Sequence, residues 1–277
     1  MKKPNFIKLI FLLFITFGIT GCFNSDKDIK TIRFGTSFGH FSDMVRESIT
    51  PQLEAKGYRV TLTEFTDGIQ LNNALNEGSI DVNIFQHVPY LKGYRERTGH
   101  KLIEAFQVPN APFAIYAGER KQLNEIQSHD TIIVPNDPSS YGRALTILQD
   151  LGWIQLRADI DPLKVSKNDI TANPLNINIK ELQSDLLPRA LKDASFGAIN
   201  GGAALNSGLK IADALSLEPN DHYINWGVIQ EKDLATDWVQ DVIQTFNSEE
   251  FKQYSYEKFP DYQFPRHWKS DESQPPK

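Results

Sequence analysis

One cysteine in 277 residues leaves no disulfide possible within the chain, so packing alone must hold the core. The six histidines include no H-x-x-x-H pair and no histidine-rich loop, which removes the usual close-spaced metal motif. No internal repeat is visible, which excludes a solenoid or propeller. No Pro/Gly-rich linker divides the chain, which argues against two sequentially independent domains. Positive charge is also short. Lys and Arg number 29 against 35 acids, for a net charge of −6. A chain of that balance is a poor binder of nucleic acid or of anionic lipid headgroups through its surface field.

What is present begins at the N-terminus. Lys2 and Lys3 precede an apolar run from Phe6 to about Thr20, followed by Gly21 and Cys22. A basic start, a short apolar stretch and small residues before a cleavage point form a secretory signal over residues 1–21. The run is short of the roughly 20 apolar residues a spanning helix needs. The sole cysteine directly after Ile19-Thr20-Gly21 fits lipidation of Cys22, which would tether the protein to a membrane through residues 22–30. Losing residues 1–21 removes three lysines and no acid, taking the net charge to −9. The polar tail, residues 269–277, is expected to be disordered.

Between these ends, strand-like runs alternate with amphipathic helical ones. Strands are expected at 31–36, 58–65, 80–85, 102–107, 113–117, 131–134, 176–181, 196–200 and 223–230. Helices are expected from Ser42 with a bend at Pro51, over 69–77 before Gly78, and from Pro89 to Gly99. Others are expected from Ser139 or Ser140 to Leu151, over 184–192, and over 233–246. Alternation of this kind predicts an α/β architecture with largely parallel sheets. The expected lobes are 31–112 plus 221–268 and 113–220, with Val108–Pro112 as a crossing point.

GTSFG at 35–39 matches G-x-S-x-G, the elbow that presents a nucleophilic serine. The order of parts is against it. Only one strand precedes Ser37, so no earlier strand can supply the oxyanion loop. A glycine turn at the mouth of the sheet, beside a helix start, is the better reading of Ser37 and its neighbours.

Longer blocks are more specific. They are GTSFGHFSDM (35–44), ALNEGSIDVNIFQHVPYL (74–91), VPNDPSSYGRALTILQDLGWI (134–154), NPLNINIKEL (173–182), LPRAL (187–191) and GAINGGAAL (197–205). In order and spacing the chain resembles the methionine-type, NlpA-family substrate-binding lipoproteins of bacterial ABC importers. The resemblance implies a two-lobed periplasmic-binding-protein fold of type II, with a cleft between the lobes. It implies no cofactor and no catalysis. The expected partners are methionine or a related amino acid or short peptide, the ABC permease and ATPase subunits, and the membrane through Cys22. The expected place is the cell envelope.

Carried onto matching positions, the resemblance names Arg143, Asn200, Asn225, Phe85, His87 and Tyr90 as ligand residues. A guanidinium suits a carboxylate, amides offer both a donor and an acceptor, and an aromatic wall suits a thioether. Ser37, His40 and Tyr141 are expected on the cleft wall. Here the chain departs from related sequences, which often carry Pro at 40, Asn-Gly at 140–141 and Thr-Tyr at 202–203. A second reading is a zinc receptor using His40, His87 and His222 with an acid, and a third is a hydrolase acting through Ser37.

Overall fold

The computed structural model describes residues 29–160, 164–218 and 223–269. Its strands are β1 (Thr31–Ser37), β2 (Arg59–Phe65), β3 (Val82–His87), β4 (Leu102–Val108), β5 (Ala114–Ala117), β6 (Thr131–Pro135), β7 (Gln155–Leu156), β8 (Ile170–Ala172), β9 (Asn178–Leu182), β10 (Phe196–Ile199), β11 (Ala214–Leu217) and β12 (Asn225–Gln230). The helices are α1 (His40–Met44), α2 (Thr50–Ala55), α3 (Gly68–Asn76), α4 (Val88–Thr98), α5 (Pro138–Asp150), α6 (Leu187–Ala190), α7 (Gly201–Asn206), α8 (Asp237–Phe246), α9 (Glu249–Lys258) and α10 (Arg266–Lys269).

The strands build two five-stranded sheets, ordered β2-β1-β3-β12-β4 and β11-β5-β10-β6-β9. Both are largely parallel, as expected: in each, four strands run in one direction and one runs against them. In the first, β1 runs parallel to β2 and β3, whereas β12 is antiparallel to both β3 and β4. In the second, β6 is parallel to β9 and β10, and β5 is antiparallel to β10 and β11. The antiparallel strands are those beside a chain crossing. Such a strand enters its sheet from the other half and not over a βα crossover, so nothing forces it to run parallel.

Two apolar clusters hold the halves. Phe34, Phe106, Val242, Phe246, Phe251 and Trp268 anchor the first, and Phe113, Ile132, Leu145, Trp153 and Phe196 the second. Buried aromatics of this size dominate core energetics. Among the described residues, no helix is long and apolar enough to cross a membrane.

Local differences from expectation have local causes. The first helix starts at His40, and Ser42 is buried in its first turn, where its hydroxyl donates to the Ser37 carbonyl. Helix α1 runs through a π segment, Val45–Ile49, into α2, which has Pro51 in its first turn. Proline has no N–H to give to the carbonyl four residues back, and widening the preceding turn relieves the ring. Asp67 caps α3 by accepting from the Gln70 N–H, and Asp137 caps α5 by accepting from the Ser140 N–H. The stretch 184–193 breaks into 3-10, α and 3-10 turns around Pro188, the helix expected over 233–246 begins only at Asp237, and α9 after it is not among the expected helices. Strands β7, β8 and β11 carry no clear alternation and escape a periodicity reading. Cys22 and the tail from Ser270 lie outside the described residues.

Candidate ligand-binding cleft

Strands β3, β6 and β10 end at His87, Pro135 and Ile199, and helices α4, α5 and α7 start there. In open α/β sheets this edge is where ligands bind.

Arg143 sits one helical turn after Ser140 on α5, and it is 4% exposed. Its guanidinium is sandwiched over the Phe113 ring at 4.9 Å and the Tyr223 ring at 4.2 Å, an arrangement that attracts a cation to both faces. Its Nε donates to Glu218 Oε1 at 3.0 Å and its Nη2 to Oε2 at 2.5 Å. Glu218 is 7% exposed. This buried fork-to-fork pair is absent from any sequence-based expectation. The partners are far apart in the chain, and Glu218 stands in no recognisable motif.

Asn200 caps the end of β10. Its Nδ2 donates to Ser140 Oγ at 3.1 Å, tying it to α5. Its Oδ1 is buried with no hydrogen-bond partner. A buried carbonyl oxygen without a donor costs about 1–3 kcal/mol.

Asn225 also uses one amide N–H within the protein. The ladder between β3 and β12 slips at Trp226/Gly227, so that Phe85 is the unpaired residue of a bulge. Its carbonyl accepts instead from Asn225 Nδ2 at 2.9 Å, and the Asn225 N–H is held by Asn110 Oδ1 at 2.9 Å. Of the Asn225 amide, the Oδ1 acceptor and one N–H remain. Bulges re-aim side chains next to binding sites. Here the slip brings Asn83 and Gln86, residues that strict alternation would set on opposite faces, into one buried amide cluster with Asn72.

Phe85 meets Tyr90 edge-to-face with centroids 5.5 Å apart, and His87 meets Tyr223 in the same manner at 5.1 Å. His87 caps α4: its Nδ1 accepts from the Tyr90 N–H at 3.3 Å. That bond fixes the neutral ring with its proton on Nε2. Burial, then the charge of Arg143, hold its pKa well below the ordinary histidine value. Burial, then Asp137 and Asp67, push the Tyr90 phenol up to about 12.

The structure thus brings Arg143, Asn200, Asn225, His87, Tyr90 and Phe85 to one region, joined by shared partners. The three residues expected on the cleft wall have contacts of their own. Tyr141 packs into the core of the second half with Phe113 and Leu145, because it lies on the core-facing side of α5. His40 stacks on Phe41 at 4.0 Å and meets Tyr262 at 5.4 Å. It lines a groove of about 490 Å³ with Leu205, Asn206 and Lys210. Both ring nitrogens of His40 are buried without a hydrogen bond, so neither is bonded to Ser37. Ser37 ends β1 half-buried, its carbonyl accepting from Ser42. Among the described residues, no group of three or more His, Cys, Asp or Glu could hold a metal, and His222 lies outside them. Neither the zinc nor the hydrolase reading finds support.

The glycines of GTSFG have structural reasons. Gly39 has φ +90°, and a Cβ there would stand 2.0 Å from Asn206 Oδ1. The Asn206 Nδ2 donates to the Phe38 carbonyl at 3.0 Å, a hydrogen bond between the two halves.

Comparison with known proteins agrees with this architecture. The NlpA lipoprotein family matches residues 32–267. The D-methionine-binding lipoprotein MetQ of Salmonella typhi is 34% identical over 236 residues, 84% of this chain and 87% of that one. MetQ of Escherichia coli K12 is 33% identical over the same shares. A nutrient-binding protein from Burkholderia cenocepacia, solved bound to methionine, superposes with TM-score 0.79 at 33% identity, covering 83% of this chain and 98% of that one. The solved methionine-binding protein MetQ gives TM-score 0.79 at 32% identity, covering 85% and 98%. The fold is the two-lobed α/β fold of these binding proteins, and the chain belongs to the NlpA lipoprotein family.

Proposed function

We propose that this protein is a substrate receptor of an ABC importer, enclosing methionine or a closely related amino acid between its halves. The observation that carries the reading is the pair of amide acceptors. Asn200 Oδ1 is buried without a donor, and Asn225, one N–H committed to the Phe85 carbonyl, offers its Oδ1. Two carbonyl acceptors beside a guanidinium suit an α-ammonium and an α-carboxylate on one carbon. The Phe85–Tyr90 aromatic pair offers an apolar wall where a thioether gains sulfur–aromatic contact.

The lobes are assigned as 31–112 with 221–268 and 113–220, closing as hinged bodies around the ligand. Lipid on Cys22 would hold the receptor at the cell envelope beside its permease and ATPase subunits. The role is one of capture and release, without catalysis. The names of the relatives support methionine as the ligand, and the lipoprotein family supports the anchor.

Calorimetry and thermal melts of ligand-stripped protein with the twenty amino acids test the reading. Methionine at a hundred times its Kd is expected to stabilise by about 2.7 kcal/mol, a rise in Tm of very roughly 5–10 °C for a chain of this size. Absence of stabilisation by any amino acid or short peptide would overturn it.

A further inference from the structure

The Arg143–Glu218 pair raises a question that carboxylate capture alone does not answer. A guanidinium meant only to seize an anion would be better left with both its edges open. Here the Nε–Nη2 edge is already filled by a carboxylate of the chain itself. Among the described residues, Arg143 Nη1 donates to no protein atom, so an incoming carboxylate must approach from that side.

The pair also sets the charge of the site. Arg143 and Glu218 cancel, and the buried His87 is neutral. Asp67 and Asp137 carry charge nearby, but they sit exposed and half-buried at helix N-termini, where the helix dipole and solvent offset them. Buried ion pairs are weak sources of stability, because desolvation consumes most of the attraction. A pair this well formed therefore points to a role beyond holding the fold.

We propose that Glu218 is a specificity-determining residue, which makes the buried site electrically neutral and so selects ligands carrying both an α-ammonium and an α-carboxylate. This deepens the methionine reading and rests on it. A zwitterion enters a neutral site and leaves it neutral. An α-hydroxy acid brings an uncompensated negative charge, and an amino amide an uncompensated positive one, and either would be buried at a cost. Discrimination then comes from disfavouring the wrong ligands as much as from contacts to the right one.

Calorimetry with two probes tests this. One is L-methionine, and the other is its α-hydroxy analogue, 2-hydroxy-4-(methylthio)butanoate. The hydroxy acid keeps the side chain and carboxylate and can still donate to Asn200 Oδ1, but it lacks the positive charge. Wild type is expected to bind methionine about 100-fold or more tightly over the hydroxy acid, which brings an uncompensated charge into the buried site. In Glu218→Gln that ratio should fall by about tenfold or more, about 1.4 kcal/mol, with the hydroxy acid binding more tightly than it does to wild type. Glu218→Asp, which keeps the charge, should hold the ratio near wild type even where both affinities drop. Equal weakening of both probes in Glu218→Gln, with the ratio unchanged, would reduce Glu218 to a structural partner and overturn the proposal. A wild type that binds no amino acid at all would instead bring down the methionine reading beneath it.

Discussion

At the scale of single residues, Arg143 is held in three ways at once: by two rings, by Glu218 and by its helix. Removing one member of a buried ion pair leaves the other uncompensated, which costs about 3–5 kcal/mol. Arg143→Met is therefore expected to lower unfolding stability by that amount, and Arg143→Met with Glu218→Met to recover most of it. Urea unfolding of the two single variants and the double variant measures the coupling. Additive losses would show that the pair contributes no coupling. The identities of Arg143, His87 and Tyr90 were legible in the sequence because each lies inside a long, specific block. Glu218, Phe113 and Tyr223 were not. They reach the guanidinium only through the folding of remote segments, and no local pattern marks them. The division of labour within the two amides was also hidden, since which end of Asn200 or Asn225 is used depends on Ser140 and on the bulge at Phe85.

At the scale of elements, caps and close approaches place the site. Asp137 followed by Pro138 is a legible helix start, an acceptor at the cap and proline in the first turn, although Ser139 and Ser140 compete for that role on the page. The bulge in β3 is not legible, because one extra residue in a strand leaves no compositional trace. Gly68, opening α3, lies against the aromatic wall: a Cβ there would stand 2.5 Å from the Phe85 ring and 2.8 Å from the Tyr90 hydroxyl. Gly68→Ala is expected to cost about 1–3 kcal/mol through overpacking, and to weaken methionine binding measured by calorimetry. Gly93→Ala serves as the control. A Cβ at Gly93 in α4 meets nothing within 4 Å, and the change should be neutral or stabilising by about 0.4–1 kcal/mol. Equal effects from the two variants would show that contact with the wall is not the cause.

At the scale of the whole molecule, two buried histidines tie stability to pH. Burial brings His40 down to about 3, and burial with Arg143 brings His87 well below its usual value. In the unfolded chain both protonate near about 6.5. The unfolded state then binds protons that the native state refuses, so stability falls as pH drops below that value. The slope is about 1.4 kcal/mol per pH unit for each histidine. Urea unfolding between pH 7 and 5 should show this decline, and His40→Phe should remove about one proton from it. A decline unchanged by that substitution would mean that His40 already takes up its proton in the native state.

Strand β12 lies inside the first sheet, between β3 and β4, although among the described residues it is the last strand. Until it arrives, β3 and β4 each present an open edge, the kind of surface that invites pairing with another molecule. The second sheet has no such wait, because residues 114–217 supply all of its strands in one continuous stretch. Contacts between distant segments are slow to form. The Asn225 amide reaches the Phe85 carbonyl, and Tyr223 covers Arg143, only once β12 is seated. The contacts around Arg143 therefore wait on the described strand that comes last in the sequence.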